Sequence, residues 1–428
     1  MRVALINPNW SFDGSIYFGC REPHLPLELG WCRALLEREG HAVLLLDAHL
    51  FDLGSSDIRA ELASFRPELT VVTTAPTYLF WRCAPPELRV PIALVRGIED
   101  LAGRIVAVGP HGSTTPAAAL RKLGVDGVVM GECEEVVARL AGGAWDGVTG
   151  FARWQGGTIR VNGGPQASPF VEAPPLLWPD EWIARHHHHH HRFDAAPIGP
   201  GAEVEASRGC PYSCTFCAKE NFRDRYRRRD AGSVLEEVLR LQEQGAEYVY
   251  FIDEIFLPNR PLLEGLVGRG LKFGVQTRID LWKPEMLELL GRAGCVSIEA
   301  GVESLTREGR DRLAKNCKLD TEELADRLIE AKRHVPFVQA NLLEMPHDEP
   351  ELIERWRARL LGSGVWANDP VPLFPYPGSP DYRRLWGLPD DRAWERAVDH
   401  YLATFADFSD LQEARPLPLA ELEAGARA

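Results

Sequence analysis

Short apolar, β-branched runs alternate with amphipathic stretches along most of the chain, and this rhythm predicts successive βα units. In the first third, Val3–Ile6, Ala42–Leu46, Leu69–Thr74, Ile105–Val108 and Gly127–Met130 read as buried strands. Between them, Leu27–Glu39 and Ala117–Leu123 place apolar positions on one face and read as helices. Residues 1–150 are therefore expected to form a Rossmann-like, doubly wound parallel sheet whose ligand sits beyond the carboxyl ends of its strands. The loops at those ends supply the binding candidates: Pro8 and Asn9, Thr73, Thr74, Thr77 and Tyr78, Gly109 and His111, and Gly131 and Glu132. Their glycines and small hydroxyl residues let a backbone approach a large flat ligand closely. No G-x-G-x-x-G or P-loop is present, which weakens a nicotinamide or nucleoside-triphosphate reading.

From 151 to 200 the pattern breaks into a Pro, Gly and Trp-rich connection holding six consecutive histidines, His186 to His191. The run reads either as native or as an insertion in a loop; it suits opportunistic metal binding better than a catalytic site of fixed geometry. The βα rhythm resumes over 201–380, with an amphipathic helix around Val234–Leu241 and strands at Tyr248–Ile252, Lys272–Gln276, Val296–Glu299, Val338–Leu343 and Val371–Phe374. With the apolar approach Ala202–Ala206, these make six βα units, a partial (βα)6 TIM-type barrel with chemistry at the carboxyl ends of its strands. Polar residues recur there: Asp253 and Glu254, Gln276 and Arg278, Glu299 and Glu303. Residues 381–428 predict a small helical region, with helices at Asp390–Phe405 and Pro418–Ala428.

Composition narrows the partners. A chain of 428 residues with a formal net charge of -14 argues against nucleic acid held by phosphate contacts, and favours a small-molecule substrate. No apolar run approaches a membrane span, and the first residues enter a strand pattern instead of a signal peptide, so a cytoplasmic location is expected. Nine cysteines without paired spacing argue against a disulfide framework.

Three of them carry the chemistry. Cys210-Pro-Tyr-Ser-Cys214-Thr-Phe-Cys217 has the spacing C-x3-C-x2-C. Thiolates suit zinc or an iron–sulfur cluster, both usually four-coordinate in protein ligands, so three in one loop leave a corner open. A zinc knuckle completed by a distant ligand shares this pattern.

The loop, with Phe216 before its last cysteine, resembles that of the radical SAM superfamily. The resemblance implies a [4Fe-4S] cluster on Cys210, Cys214 and Cys217, with S-adenosylmethionine on the fourth iron. Gly301-Val-Glu303-Ser304 is similar to the family's G-x-E-S, and Asp253-Glu254 stands where Gly-Gly-Glu is usual. Tyr226-Arg-Arg-Arg229 resembles Y-R-x-R, although a solvated helix face explains an arginine run equally simply. Val108-Gly-Pro-His-Gly with Gly131-Glu-Cys-Glu134, and Pro375-Tyr-Pro-Gly-Ser379, resemble motifs of the cobalamin-binding branch. That branch implies cobalamin on the first domain. Asp47-Ala-His49 approaches D-x-H-x-x-G, but Asp52 replaces the glycine and the segment follows the second strand, which favours a surface histidine over a cobalt ligand. The run Tyr78-Leu-Phe-Trp81 would then cover the lower cobalt face, or simply pack in the core.

The family resemblance implies an enzyme that generates a 5'-deoxyadenosyl radical, with an external one-electron reductant of flavodoxin or ferredoxin type. Methylation of an unactivated carbon is the expected outcome. The alternatives are an oxidoreductase or cyclase with the same cofactors and no methyl transfer, or a non-catalytic corrinoid and iron–sulfur redox sensor.

Overall fold

A seven-stranded sheet and a six-stranded sheet lie in succession along the chain, each wrapped by helices. The structure is a computed structural model and describes residues 1–16, 22–77, 84–171, 173–187, 199–404 and 415–427, the side chains of Ala426 and Arg427 excepted. Tyr78, with Leu79 to Trp81, and His188 to His191 lie outside these residues.

The first sheet contains β1 (Arg2–Asn7), β2 (Ala42–Asp47), β3 (Leu69–Thr73), β4 (Arg104–Val108), β5 (Gly127–Val129), β6 (Phe151–Gln155) and β7 (Thr158–Asn162), in the order 2-1-3-4-5-6-7. β1 to β5 are parallel, and the chain reverses direction at β1, between β2 and β3, which makes the sheet doubly wound. Alternate side chains of β1 divide its core: Val3 and Leu5 pack towards helix Leu27–Arg38, Ala4 and Ile6 towards helices Ser55–Phe65 and Arg89–Ile98. The expected connection begins differently from the sequence reading. β6 and β7 form an antiparallel hairpin on β5 and extend the first sheet to residue 162.

The second sheet runs β8 (Gly201–Val204), β11 (Tyr248–Phe251), β12 (Lys272–Thr277), β13 (Cys295–Glu303), β14 (Phe337–Leu342) and β15 (Trp366–Ala367), all parallel. It is the expected partial barrel, with one correction. The sixth strand is Trp366–Ala367, not Val371–Phe374. Pro370, Pro372 and Pro375 remove backbone donors from the later segment, which keeps only an isolated bridge between Val371 and Leu343. The two-residue strands β9 (Ser207–Arg208) and β10 (Arg227–Arg228) form a small antiparallel ladder between β8 and β11.

Helices Ala393–Thr404 and Leu419–Arg427 pack on the first domain, where Lys122 pairs with Glu395 at 2.6 Å and with Glu423 at 3.2 Å. The first residue of the histidine run is structural. His186 is buried, faces the Gly201 carbonyl, and has Nε2 3.3 Å from Glu203 on β8. Burial alone would depress its pKa, but the Glu203 carboxylate outweighs burial and raises it. Among the described residues no helix is long and apolar enough to cross a membrane.

Candidate active site

The cysteine loop begins where β9 ends. Gly209 has φ +77°, and a Cβ there would sit 2.1 Å from the Arg225 carbonyl oxygen, so only glycine lets the two ends of the loop pass. The loop is tied down on several sides. Lys219 Nζ donates to the Cys210 carbonyl at 2.7 Å, and the Thr215 amide donates to the Leu313 carbonyl at 3.0 Å. Thr215 Oγ1 donates to Asp381 at 2.9 Å while the Asp381 amide returns a bond to the Thr215 carbonyl. Asp381 opens helix Pro380–Trp386, directly after the Pro375–Ser379 turn, which explains why that turn belongs to the site.

Cys210, Cys214 and Cys217 are free and half-buried, as is Phe216 between them. The crowding protein raises all three thiols and pushes Cys217 up to about 12. Such thiols surrender their protons to a metal, which a low-dielectric setting otherwise discourages. Among the described residues no three His, Cys, Asp or Glu side chains converge on one metal ion. Three thiols in one short loop can each take one iron of a cluster.

The barrel strands carry a polar row. Gln276, Glu299 and Gln339 stand side by side on β12, β13 and β14, and the same face continues to Gly301 and Asn341. Gln339 was not singled out from sequence; it shares a register position with Gln276 and Glu299, which only strand pairing reveals. Arg278 stacks 4.0 Å from the Tyr212 ring centre and is held by Asp280 at 2.8 Å. Glu303 pairs with Lys315, and Ser304 Oγ donates to Asp348 at 2.6 Å. Asp253 is turned to structure: its carboxylate accepts the Ala206 amide at 2.8 Å and the Ser207 hydroxyl, and burial pushes its pKa up to about 7. Glu254 accepts the Gly209 amide at 2.6 Å and Arg223 at 2.9 Å, so it braces the start of the loop.

At the first domain's strand ends, Asn7 Nδ2 donates to Asp47 at 2.8 Å and Asn9 Nδ2 to Asp52 at 2.8 Å, with Pro8 buried between. Asp47 also accepts the His49 and Leu50 amides, so the D-x-H segment is a tight turn. Thr73 Oγ1 donates to Asn7 at 3.3 Å, and Thr77 Oγ1 donates to Glu28 at 2.6 Å. Thr74 Oγ1 is buried without a partner. Gly109 (φ +135°) leads into the buried His111, whose ring lies 4.7 Å from that of Trp394. Neither ring nitrogen of His111 makes a well-aligned hydrogen bond; burial, reinforced by Lys122, outweighs the nearby Pro85 and Pro86 carbonyls and lowers its pKa to about 3. Gly131 (φ +83°) bridges Gln166, whose backbone would lie 2.3 Å from any Cβ.

Glu132 occupies a different role from the one its loop position suggested. It is fully buried and its carboxylate is committed to Arg227, to Arg208 at 3.3 Å, to Arg223 at 3.8 Å and to the Ser168 amide at 2.8 Å. Burial would raise its pKa, but the three guanidinium groups outweigh that and hold it low. Arg208 and Arg223 also meet Glu205 on the other side, at 2.8 and 2.6 Å, and the two guanidinium groups hold Glu205 at about 2 against the upward pull of burial. Of the Tyr226–Arg229 run, Arg229 is buried and Arg227 meets Glu132, while Arg228 is half-buried and the neighbouring Arg225 exposed; Arg208 and Arg223, each 1% exposed, complete the ties between the first domain and the barrel. A second tie is Asn221, four residues past Cys217. Its Nδ2 donates to Thr114 of the first domain at 3.1 Å and to the Pro377 carbonyl at 2.9 Å. Beside the loop lies a cavity of about 660 Å³ lined by Thr215, Leu313, Met345, His347, Leu373 and His400, among others.

A cysteine loop opening such a barrel defines the class. Residues 204–356 match the family described as the radical SAM superfamily, and the chain carries a radical SAM domain. Its whole fold is similar to that of the radical S-adenosylmethionine methyltransferase TsrM from Kitasatospora setae, solved with cobalamin and a [4Fe-4S] cluster bound: TM-score 0.67, 19% identity, 89% of this chain and 73% of that one. In sequence it is 25% identical over 323 residues to an uncharacterized methyltransferase of Pyrococcus horikoshii, covering 71% of this chain and 66% of the relative. It is also 25% identical over 348 residues to the anaerobic magnesium-protoporphyrin IX monomethyl ester cyclase of Rubrivivax gelatinosus, covering 77% and 60%. The chain thus spans less than two thirds of the length of these two relatives.

Proposed function

We propose that the protein is a cobalamin-dependent radical SAM enzyme that methylates an unactivated carbon of a small molecule. The observation that carries this reading is the junction at Asn221, where the cysteine loop, the strand-end edge of the first domain and the Pro375–Ser379 turn meet. Two cofactor sites that must act on one substrate need such adjacency.

The residues present suit these groups. Cys210, Cys214 and Cys217 offer three thiols and leave a fourth position open. Gln276, Glu299 and Gln339 offer a polar row across the barrel strands, and Thr74 holds a buried hydroxyl without a partner at the first domain's edge. When bound, a [4Fe-4S] cluster, S-adenosylmethionine and cobalamin supply hydrogen-atom abstraction and methyl transfer. The chain's own work is to orient and to exclude water. Arg278 on Tyr212 and Asp381 on Thr215 fix the loop, and the aromatic group Phe374, Tyr376, Tyr401 and Trp394 dries the space beside His111. An external one-electron donor of flavodoxin or ferredoxin type and a cytoplasmic location complete the reading.

A second outcome has its own support. The similarity to the Rubrivivax cyclase favours ring closure without methyl transfer. Anaerobically reconstituted, reduced protein is expected to absorb in the visible as an iron–sulfur protein, to bind cobalamin, and to release 5'-deoxyadenosine from S-adenosylmethionine. Failure to release it with candidate substrates present would leave the sensor alternative. Label from methyl-labelled S-adenosylmethionine appearing in product distinguishes methylation from cyclisation.

A further inference from the structure

Five non-glycine residues among those described adopt a left-handed backbone: Asp52, Arg66, Glu303, Ala314 and Asn316. Three of the five gather around one side chain that carries no family motif, Lys315. Ala314 (φ +51°) and Asn316 (φ +53°) flank it, and Glu303 (φ +63°) sits at the irregularity in β13 where the register with β14 shifts. Side chains seldom tolerate this conformation, and alanine has no polar group to compensate. Strain of this kind persists where the surroundings fix it, often at functional sites.

What the strain achieves is placement of a charge. Lys315 is 4% exposed. Its ammonium donates to the Gly301 carbonyl at 2.7 Å and pairs with the Glu303 carboxylate, while its own carbonyl accepts from Arg278. The preceding Leu313 carbonyl accepts the Thr215 amide, so this segment is bonded directly to the cysteine loop between Cys214 and Phe216. Arg278, itself paired with Asp280, ties the two together from another side: it donates to the Lys315 carbonyl and stacks 4.0 Å from the ring centre of Tyr212 in the loop. Glu254, Lys219 and Asp381 also face the loop, at the Gly209 amide, the Cys210 carbonyl and the Thr215 hydroxyl.

We propose that Lys315 is a positioning residue for electron entry, its buried ammonium, neutralised in part by Glu303, setting the reduction potential of a cluster held by Cys210, Cys214 and Cys217. This rests on reading the loop as a cluster site. Reduction adds one electron from the external donor and requires no proton. A positive charge in a poorly solvated site favours that electron, and a negative one opposes it. The two members of the pair must therefore act in opposite directions, which a purely structural role does not require.

The test is a mediated potentiometric titration of the anaerobically reconstituted protein without S-adenosylmethionine, followed by visible absorption and electron paramagnetic resonance. Wild type, Lys315→Met, Glu303→Gln and the double variant are compared at equal iron and sulfide content. Lys315→Met is expected to lower the midpoint, Glu303→Gln to raise it, and the double variant to lie between them. Lys315→Arg keeps the charge and is expected to stay close to wild type. The proposal falls if the two single variants shift the midpoint in the same direction or not at all, or if Lys315→Arg moves it as far as Lys315→Met. It falls as well if neither Lys315 variant retains a cluster, since the residue would then act in assembly. Failure of wild type to take up any cluster overturns the proposed function itself, and this inference with it.

Discussion

His111 offers a stability test that needs no cofactor. The imidazole is buried against Trp394, and its pKa falls from 6.5 to about 3 because burial penalises the charged form. In the unfolded chain the ring takes up a proton as pH drops through 6.5; in the folded chain it stays neutral until about 3. Its contribution to folding is therefore complete above 6.5 and declines as pH falls across that window. At pH 5, about 1.5 pH units below the unfolded value, the loss amounts to ~2 kcal/mol, against only about 0.2 kcal/mol at pH 7. Replacing the ring by His111→Phe removes this term, while any change in packing is common to both pH values and cancels. Urea unfolding of the ligand-free protein at pH 7 and pH 5, followed by tryptophan fluorescence, is the assay. The wild type should lose ~2 kcal/mol more than the variant between the two pH values in the transition that includes the first domain. An equal loss in both proteins would show that His111 is not held neutral in the folded chain.

Other perturbations follow from the same geometry. Asp253, raised to about 7, has the opposite slope: its folded form keeps a proton that the unfolded form loses above 3.8, so its contribution declines as pH rises. Asp253→Asn should abolish ~2 kcal/mol of that decline between pH 4 and pH 6, measured as above. Glu132→Gln leaves Arg227 without a carboxylate among the described residues and should cost roughly 3 kcal/mol, with faster proteolysis between the domains; unchanged urea midpoints would count against the clamp. Gly209→Ala forces a Cβ to within 2.1 Å of the Arg225 carbonyl oxygen and should both lower stability by ~2 kcal/mol and cut iron uptake on reconstitution. Normal iron content in that variant would mean that the loop ends can separate freely.

Much of the architecture was legible because local pattern and fold agree. The five apolar runs of the first domain are its five parallel strands: β1, β3, β4 and β5, buried on both faces, leave an almost continuous apolar signature, and the half-buried edge strand β2 shares it. Val371–Phe374 misled for the same reason: it is apolar and bounded by turn residues, yet its prolines leave the sheet no donors, and the strand fell to Trp366–Ala367, whose two residues carry no pattern. Glu132 shows the limit of reading roles from loop position. A carboxylate at a strand end looks available to a ligand, and the three arginines that occupy it come from 76 to 95 residues further on.

Hydrophobic periodicity and ligand spacing are local properties of the chain, and they suffice for the order of the two α/β units and for the cysteine triad. Which charges meet depends on how the folded units close on one another. Arg208, Arg223 and Arg227 meet Glu132 where the first domain and the barrel close on each other, and the segment holding Lys315 is bonded to the cysteine loop through the Leu313 carbonyl and the Thr215 amide. Pairings of that kind join residues from distant parts of the chain, and no local pattern records them.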